Sequence, residues 1–153
     1  MSTSNDRKAS YRPVVGIALV SLLLCGLFFP LLITGIAQLL LPYQANGQMV
    51  QLDGHQVGSV LIAQEFNSAK FLHPRPANAS ASGVDPDIPL QDALAQVPRI
   101  SGATGIPAES VTSIIVQHTE GQFWIFGSPY VNVLRVNLAL TQSFPSAYNL
   151  TSA

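Results

Sequence analysis

The sequence predicts an α+β protein, with one N-terminal transmembrane helix followed by a small extracytoplasmic domain that holds a short sheet and two helices. Three observations predict it. No Asp, Glu, Lys or Arg occurs between Arg12 and Asp53, in a chain of 153 residues that is 48% hydrophobic and only 10% charged, against roughly 25% charged in soluble domains. Arg7, Lys8 and Arg12 precede that run and no cation follows until Lys70. The positive-inside rule therefore puts residues 1–13 in the cytoplasm, 14–41 in the membrane and 43–153 outside. The outer part alternates helix-period and strand-like segments over a length that buries one modest core.

A helix over 14–41, at about 1.5 Å per residue, spans roughly 42 Å, more than the roughly 30 Å hydrocarbon layer. It crosses with tilt or bend, and Pro30, which has no N–H to give, predicts a kink near Leu27 to Pro30. A cleaved signal sequence, with Gly35 and Ala37 before Gln38, is the competing reading. Its apolar core would be far too long, and Leu39, Leu40 and Leu41 continue past the cut. A lipid-modified Cys25 is set aside because the bulky Leu24 precedes it. Ala18, Ser21 and Cys25 align at i, i+3 and i+7 and suit close approach by a neighbouring helix. Thr34 and Gln38 form a second polar pair, with Gln38 reaching the interface.

In the outer domain, Gln56 to Phe66 reads as a strand, with Val57, Val60, Leu61 and Ile62 apolar. His73 to Gly83 is rich in proline and small residues and reads as loop. Asp85 and Asp87 supply a turn, and Pro89 is expected at the first position of a helix carrying Leu90, Ala93, Leu94 and Val97, which Pro98 ends or kinks. A second helix follows Pro107, with Glu109 in its first turn and Val111, Ile114, Ile115 and His118 on one face. Gln122 to Phe126 and Val131 to Leu140 read as strands, the latter by alternation of Leu134, Val136, Leu138 and Leu140, although it also fits a helix. Phe123, Trp124 and Phe126 read as core, and Ser143 to Ala153 as frayed.

The chemistry is sparse. With net charge −1 and scattered cations there is no basic face for nucleic acid. A single cysteine excludes an intramolecular disulfide and a cysteine-cluster zinc site. The lysines are Lys8 and Lys70, neither in a Gly-Lys-Ser/Thr loop, and no Asp-Lys-Thr-Gly, Gly-x-Ser-x-Gly or His-Glu-x-x-His string occurs. His55, His73 and His118 are far apart, His118 reading as a core or helix-end histidine, and Asp85, Asp87 and Asp92 as turn and cap residues. No catalytic residue and no metal site is assigned. Arg75 and Arg99, each beside proline, are candidates for forked hydrogen bonds to a partner, with Asn132 as a third interface residue.

Several strings taken together are more specific. Gln44-Ala45-Asn46-Gly47, Gly58 to Phe66, Phe71-Leu72-His73-Pro74-Arg75-Pro76, Ala81 to Ile88, Gln96-Val97-Pro98-Arg99-Ile100, His118-Thr119-Glu120-Gly121 and Val131 to Leu140 occur in this order. In that order they resemble the C subunit of the Kdp-type potassium-transporting P-type ATPase. The resemblance implies a non-catalytic subunit of a potassium uptake complex. Its partners would be a channel-like potassium-binding subunit, an ATP-hydrolysing pump subunit and a small hydrophobic subunit. It also implies a catalytic-chaperone role that raises the pump's affinity for ATP, with Gln96 at the position proposed to contact nucleotide; no other cofactor is implied. A domain outside the cytoplasm does not meet cytoplasmic ATP, so the topology argues for a scaffold or gate near the potassium entrance. The chain departs from the pattern at Ala63 and Pro74. It also lacks a middle segment, because Pro76 is followed almost directly by Ala81-Ser82-Gly83. The alternative is an anchored or secreted extracytoplasmic domain unrelated to transport, either a binding module or an unorthodox enzyme.

Overall fold

A computed structural model describes residues 11–52, 54–121 and 127–148. Two units result, one ending at Asn46 and the other beginning at Gly47. In the first, helix α1 (Arg12–Leu23), a π-helical turn (Leu24–Phe28) and helix α2 (Phe29–Leu40) run as one helix from Arg12 to Leu40, long and apolar enough to cross a membrane. Pro13 and Pro30 sit in the first turns of α1 and α2, where a missing N–H is tolerated. The disturbance expected around Pro30 takes the form of the π turn, in which the Phe29 N–H reaches back five residues to the Leu24 carbonyl. After Leu41 the short helix α3 (Pro42–Ala45) folds so that Asn46 exchanges two amide hydrogen bonds with Gln38, at 3.1 and 3.3 Å. Gln38 thus ends the apolar helix with its own polar partner.

The second unit opens with an antiparallel hairpin of β1 (Met49–Leu52) and β2 (His55–Ser59), bulged between Val50 and Gln51. The strand expected over Gln56 to Phe66 is therefore short. It stops at Ser59, whose hydroxyl bonds the Gly47 carbonyl at 2.6 Å and accepts from the Leu61 N–H, turning the chain at residues 60–62. From Ala63 to Pro76 the backbone belongs to neither sheet. A 3-10 turn (Ala77–Ala79) then leads to β3 (Asp87–Pro89). The second sheet is antiparallel in the order β3, β5 (Tyr130–Asn132), β4 (Thr119–Glu120), with Ile88 opposite Val131.

Among the described residues four helices share the core with this sheet, where two were expected. Pro89 is the cap residue rather than the first helical one, because the Leu90 N–H bonds the Pro129 carbonyl and keeps Pro89 in the strand. Helix α4 (Leu90–Ala95) ends before Pro98, which lies in the first turn of a further helix, α5 (Val97–Thr104). Proline here starts a helix, its fixed φ suiting the first turn. Gly105, at φ 73°, closes α5 in the left-handed conformation that glycine adopts without penalty. Helix α6 (Ala108–Gln117) matches expectation, with Val111 and Ile115 buried and His118 at its C-terminal end donating from Nδ1 to the Ile114 carbonyl.

The largest departure lies over Val131 to Leu140. Only Val131 and Asn132 are strand; helix α7 (Val133–Ser143) follows. Alternation misleads because α7 is buried on two faces. Val133, Val136 and Leu140 join the main core with Ile88, Ile100 and Ile115, while Leu134 and Leu138 pack with Val60 against the hairpin side. A helix wedged between two cores carries apolar residues beyond one stripe. Residues 143–148 are not frayed. A 3-10 turn (Pro145–Tyr148) is fastened by Tyr148 Oη donating to the Lys70 carbonyl and Lys70 Nζ to the Ala147 carbonyl. Burial pushes the Tyr148 phenol up to about 12. The aromatic string Phe123, Trp124 and Phe126 lies outside the described residues.

Candidate partner-binding cleft

An extended segment without a sheet neighbour must find other partners for its N–H and C=O groups. In residues 60–76, Val60, Leu72 and His73 find them in side-chain amides. Asn137, buried in α7, accepts the Leu72 N–H at 2.7 Å and donates to the Leu72 carbonyl at 2.9 Å. Gln96, between α4 and α5, does the same for the next residue, accepting the His73 N–H at 2.9 Å and donating to its carbonyl at 3.2 Å. Asn132 donates to the Val60 carbonyl and to Asp87, both at 2.8 Å, while its oxygen caps α7 by accepting the Arg135 N–H. Each amide occupies the place of a strand neighbour. None of the three pairings is local in sequence, so helix-period and strand-period signals carry no trace of them.

Arg99 completes this arrangement. Its guanidinium donates to Gln96 Oε1 at 2.6 Å and to the Ala69 carbonyl at 2.7 Å, and lies 3.4 Å from His73 Nε2. That ring nitrogen donates in turn to the Ser68 carbonyl. Burial holds the Arg99 group below its usual basicity. Asp87 is held above the usual carboxylate range by burial, with Asp85 and Glu120 adding to the rise and the Asn132 donor opposing it. Asp85 accepts the Asp87 N–H, the turn role expected of it.

Arg75 differs. Among the described residues it makes no hydrogen bond or ion pair, and it lines two adjacent clefts. The larger, of about 370 Å³, is bounded by Ala63 to Asn67, His73 to Pro76, Gly83 and Val84. The other, of about 270 Å³, holds Asp85, Asp87 and Tyr130. Three stretches, around residues 63–67, 73–76 and 83–84, thus meet at one surface.

The structure separates the residues singled out above. Arg75 is at a surface cleft. Gln96, Arg99 and Asn132 have their polar atoms committed within the chain, and Asn132 is buried. Ala18, Ser21 and Cys25 are exposed along α1 and the π turn. His55, His73 and His118 fall on the hairpin, the extended segment and the end of α6, and no group of three metal-ligating side chains gathers among the described residues.

Comparison with known proteins gives a consistent result. A family model described as the K+-transporting ATPase c chain, KdpC, matches residues 11–80 and 77–142. The KdpC subunit of the potassium-transporting ATPase of Nitratidesulfovibrio vulgaris is 36% identical, over 80% of this chain and 88% of its own length. Those of Gemmatimonas aurantiaca and Acidobacterium capsulatum are 34% and 33% identical, over 84% and 86% of this chain and 90% and 97% of theirs. The first alignment runs through 174 positions while covering 80% of the 153 residues, so stretches of the relative have no counterpart here. The two matched pieces meet at 77–80, beside the point where Pro76 runs almost directly into Ala81.

Proposed function

Because this chain belongs to the KdpC family, the c chain of K+-transporting ATPases, we propose that it acts by binding, as a membrane-anchored subunit that assembles and stabilises the potassium-transporting complex. Its helix packs in the bilayer against the channel-like subunit, and its domain lies outside the cytoplasm, as Arg7, Lys8 and Arg12 ahead of the apolar run favour. There the domain caps the partner subunits near the potassium entrance.

The observation that carries this reading is the contrast at the cleft. Gln96 uses its oxygen twice and its nitrogen once to hold His73 and Arg99, whereas Arg75 makes no hydrogen bond among the described residues. Any effect on the pump's ATP affinity is then indirect, transmitted by how the domain packs on its partners, with Gln96 shaping that surface rather than gripping nucleotide. Two measurements test this. The tagged chain, solubilised from native membranes in mild detergent, should recover the other subunits in constant ratio. ATP should leave the unfolding temperature of the isolated chain unchanged, where direct binding at a hundredfold excess over Kd would add about 2.7 kcal/mol of stability. A clear ATP-dependent rise would replace the indirect reading with a direct one.

A further inference from the structure

The described part of the domain carries four cations, and three are used internally. Lys70 donates to the Ala147 carbonyl, Arg99 to Ala69 and Gln96, and Arg135 to Glu120. Arg75 has no acceptor among the described residues, yet its position is not loose. Leu72 and His73 just before it are held on both backbone groups by Asn137 and Gln96, and Pro74 and Pro76 fix φ on either side. The backbone that carries Arg75 is thus fixed, and its guanidinium, with no acceptor among the described residues, is a forked donor at a defined place on the surface.

Three aliphatic side chains are exposed near the larger cleft. Leu61, Ile62 and Val84 are 52%, 49% and 48% exposed, and the Ala63 N–H bonds the Val84 carbonyl at 3.0 Å, fastening the turn that carries the first two to the segment ahead of β3 that carries the third. Val84 and Ala63 line the larger cleft with Arg75. Arginine is enriched in protein interfaces, and the exposed aliphatic side chains near this cleft add apolar area for a partner to bury. Charge decides which cleft takes the partner. Asp85 and Asp87 repel an anion from the smaller one, while the larger holds only Glu65, which is exposed.

We infer that the larger cleft docks an extended segment of another subunit of the complex, which presents an Asp or Glu carboxylate to Arg75 and aliphatic side chains to Leu61, Ile62 and Val84. This rests on the subunit reading above and names its contact. The test uses the full-length tagged chain in the complex extracted from native membranes. In an Arg75→Lys variant, a water-soluble carbodiimide joins the new amine to a touching carboxylate with loss of water, and peptide mapping by mass spectrometry locates the link. The expected product ties residue 75 to an acidic residue of a partner subunit and is absent from the unaltered chain. Arg75→Glu and Ile62→Asp, both surface changes that keep the unfolding temperature, should each cut recovery of partner subunits about tenfold. Links confined to this chain's own Glu65, Asp85 or Asp87, or to a second copy of it, would overturn the inference, as would undiminished recovery with Arg75→Glu. Failure of the unaltered chain to recover any partner would instead overturn the subunit reading, and this inference with it.

Discussion

The segments 72–76 and 96–99 are chemically alike, each pairing proline with arginine beside a residue that bears an amide or imidazole. In the fold they have opposite assignments. The second turns inward: Gln96 and Arg99 supply hydrogen bonds to the backbone of Ala69 and His73 and so build the wall. The first is what that wall supports. Leu72 and His73 make four hydrogen bonds with Asn137 and Gln96, donating two and accepting two, and Arg75 faces two clefts. The difference teaches that an arginine's role depends on whether acceptors lie within reach in the finished fold, and that the segment carrying Arg75 is held in part by the segment carrying Arg99.

The sharpest way to break this contrast is to remove the clamp beneath both segments. Asn137→Ala leaves the Leu72 N–H and C=O without partners inside the core, and should destabilise the full-length chain by about 3 kcal/mol in denaturant titrations in detergent. A loss under about 1 kcal/mol would mean that water replaces the amide. Gln96→Ala removes a half-buried clamp and one acceptor of Arg99, so a loss of about 2 kcal/mol is expected. If Gln96 is structural, an ATP titration of the complex should shift no more than the lost stability accounts for. Arg99→Ala and Arg75→Ala sharpen the comparison directly. The first should cost about 1 kcal/mol of stability, and the second should stay within about 0.5 kcal/mol of the unaltered chain while weakening recovery of partners. Equal effects of the two on both readouts would erase the distinction.

The smallest expected effect concerns pH. The Asp87 carboxyl is raised by burial above its ordinary value of 3.8, so its ionised form is the less favoured one in the folded chain. Its contribution to stability is therefore best below the ordinary value and is lost as pH rises through the raised one. Asp87→Asn keeps an acceptor for Asn132 and removes the charge. It should stabilise the chain at pH 7 by less than about 1 kcal/mol, because the group is partly solvated, and give no gain at pH 3. A gain of the same size at both pH values would point to packing instead.

Much of the chain was legible because the signal is local. Uninterrupted apolar composition marks the membrane helix and Pro30 its disturbance, while Pro107, Glu109 and the 111, 115 spacing mark α6. The Asp85 turn needs only neighbours two residues apart. Where local rules failed, tertiary packing had overridden them. Leu134, Val136, Leu138 and Leu140 imitate a strand since α7 answers to two cores, and Pro98 opens α5 because the chain turns at Gln96. The frayed reading of 143–148 missed the pairing with Lys70, which lies far back in the chain.

By itself the sequence determined that the chain has one helix able to cross a membrane, an α+β domain after it, and the ordered strings that mark its family. These follow from composition, period and short spacing, which belong to stretches of chain whatever their surroundings. Only the tertiary structure decided which of two similar arginines is spent inside the fold, which amides stand in for absent strands, and that residues near 63, 75 and 84 share one cleft. Hydrogen-bond partners separated by 23, 65 or 72 positions leave no periodic imprint. They exist only once the chain has closed on itself and the buried backbone has taken the donors and acceptors within reach.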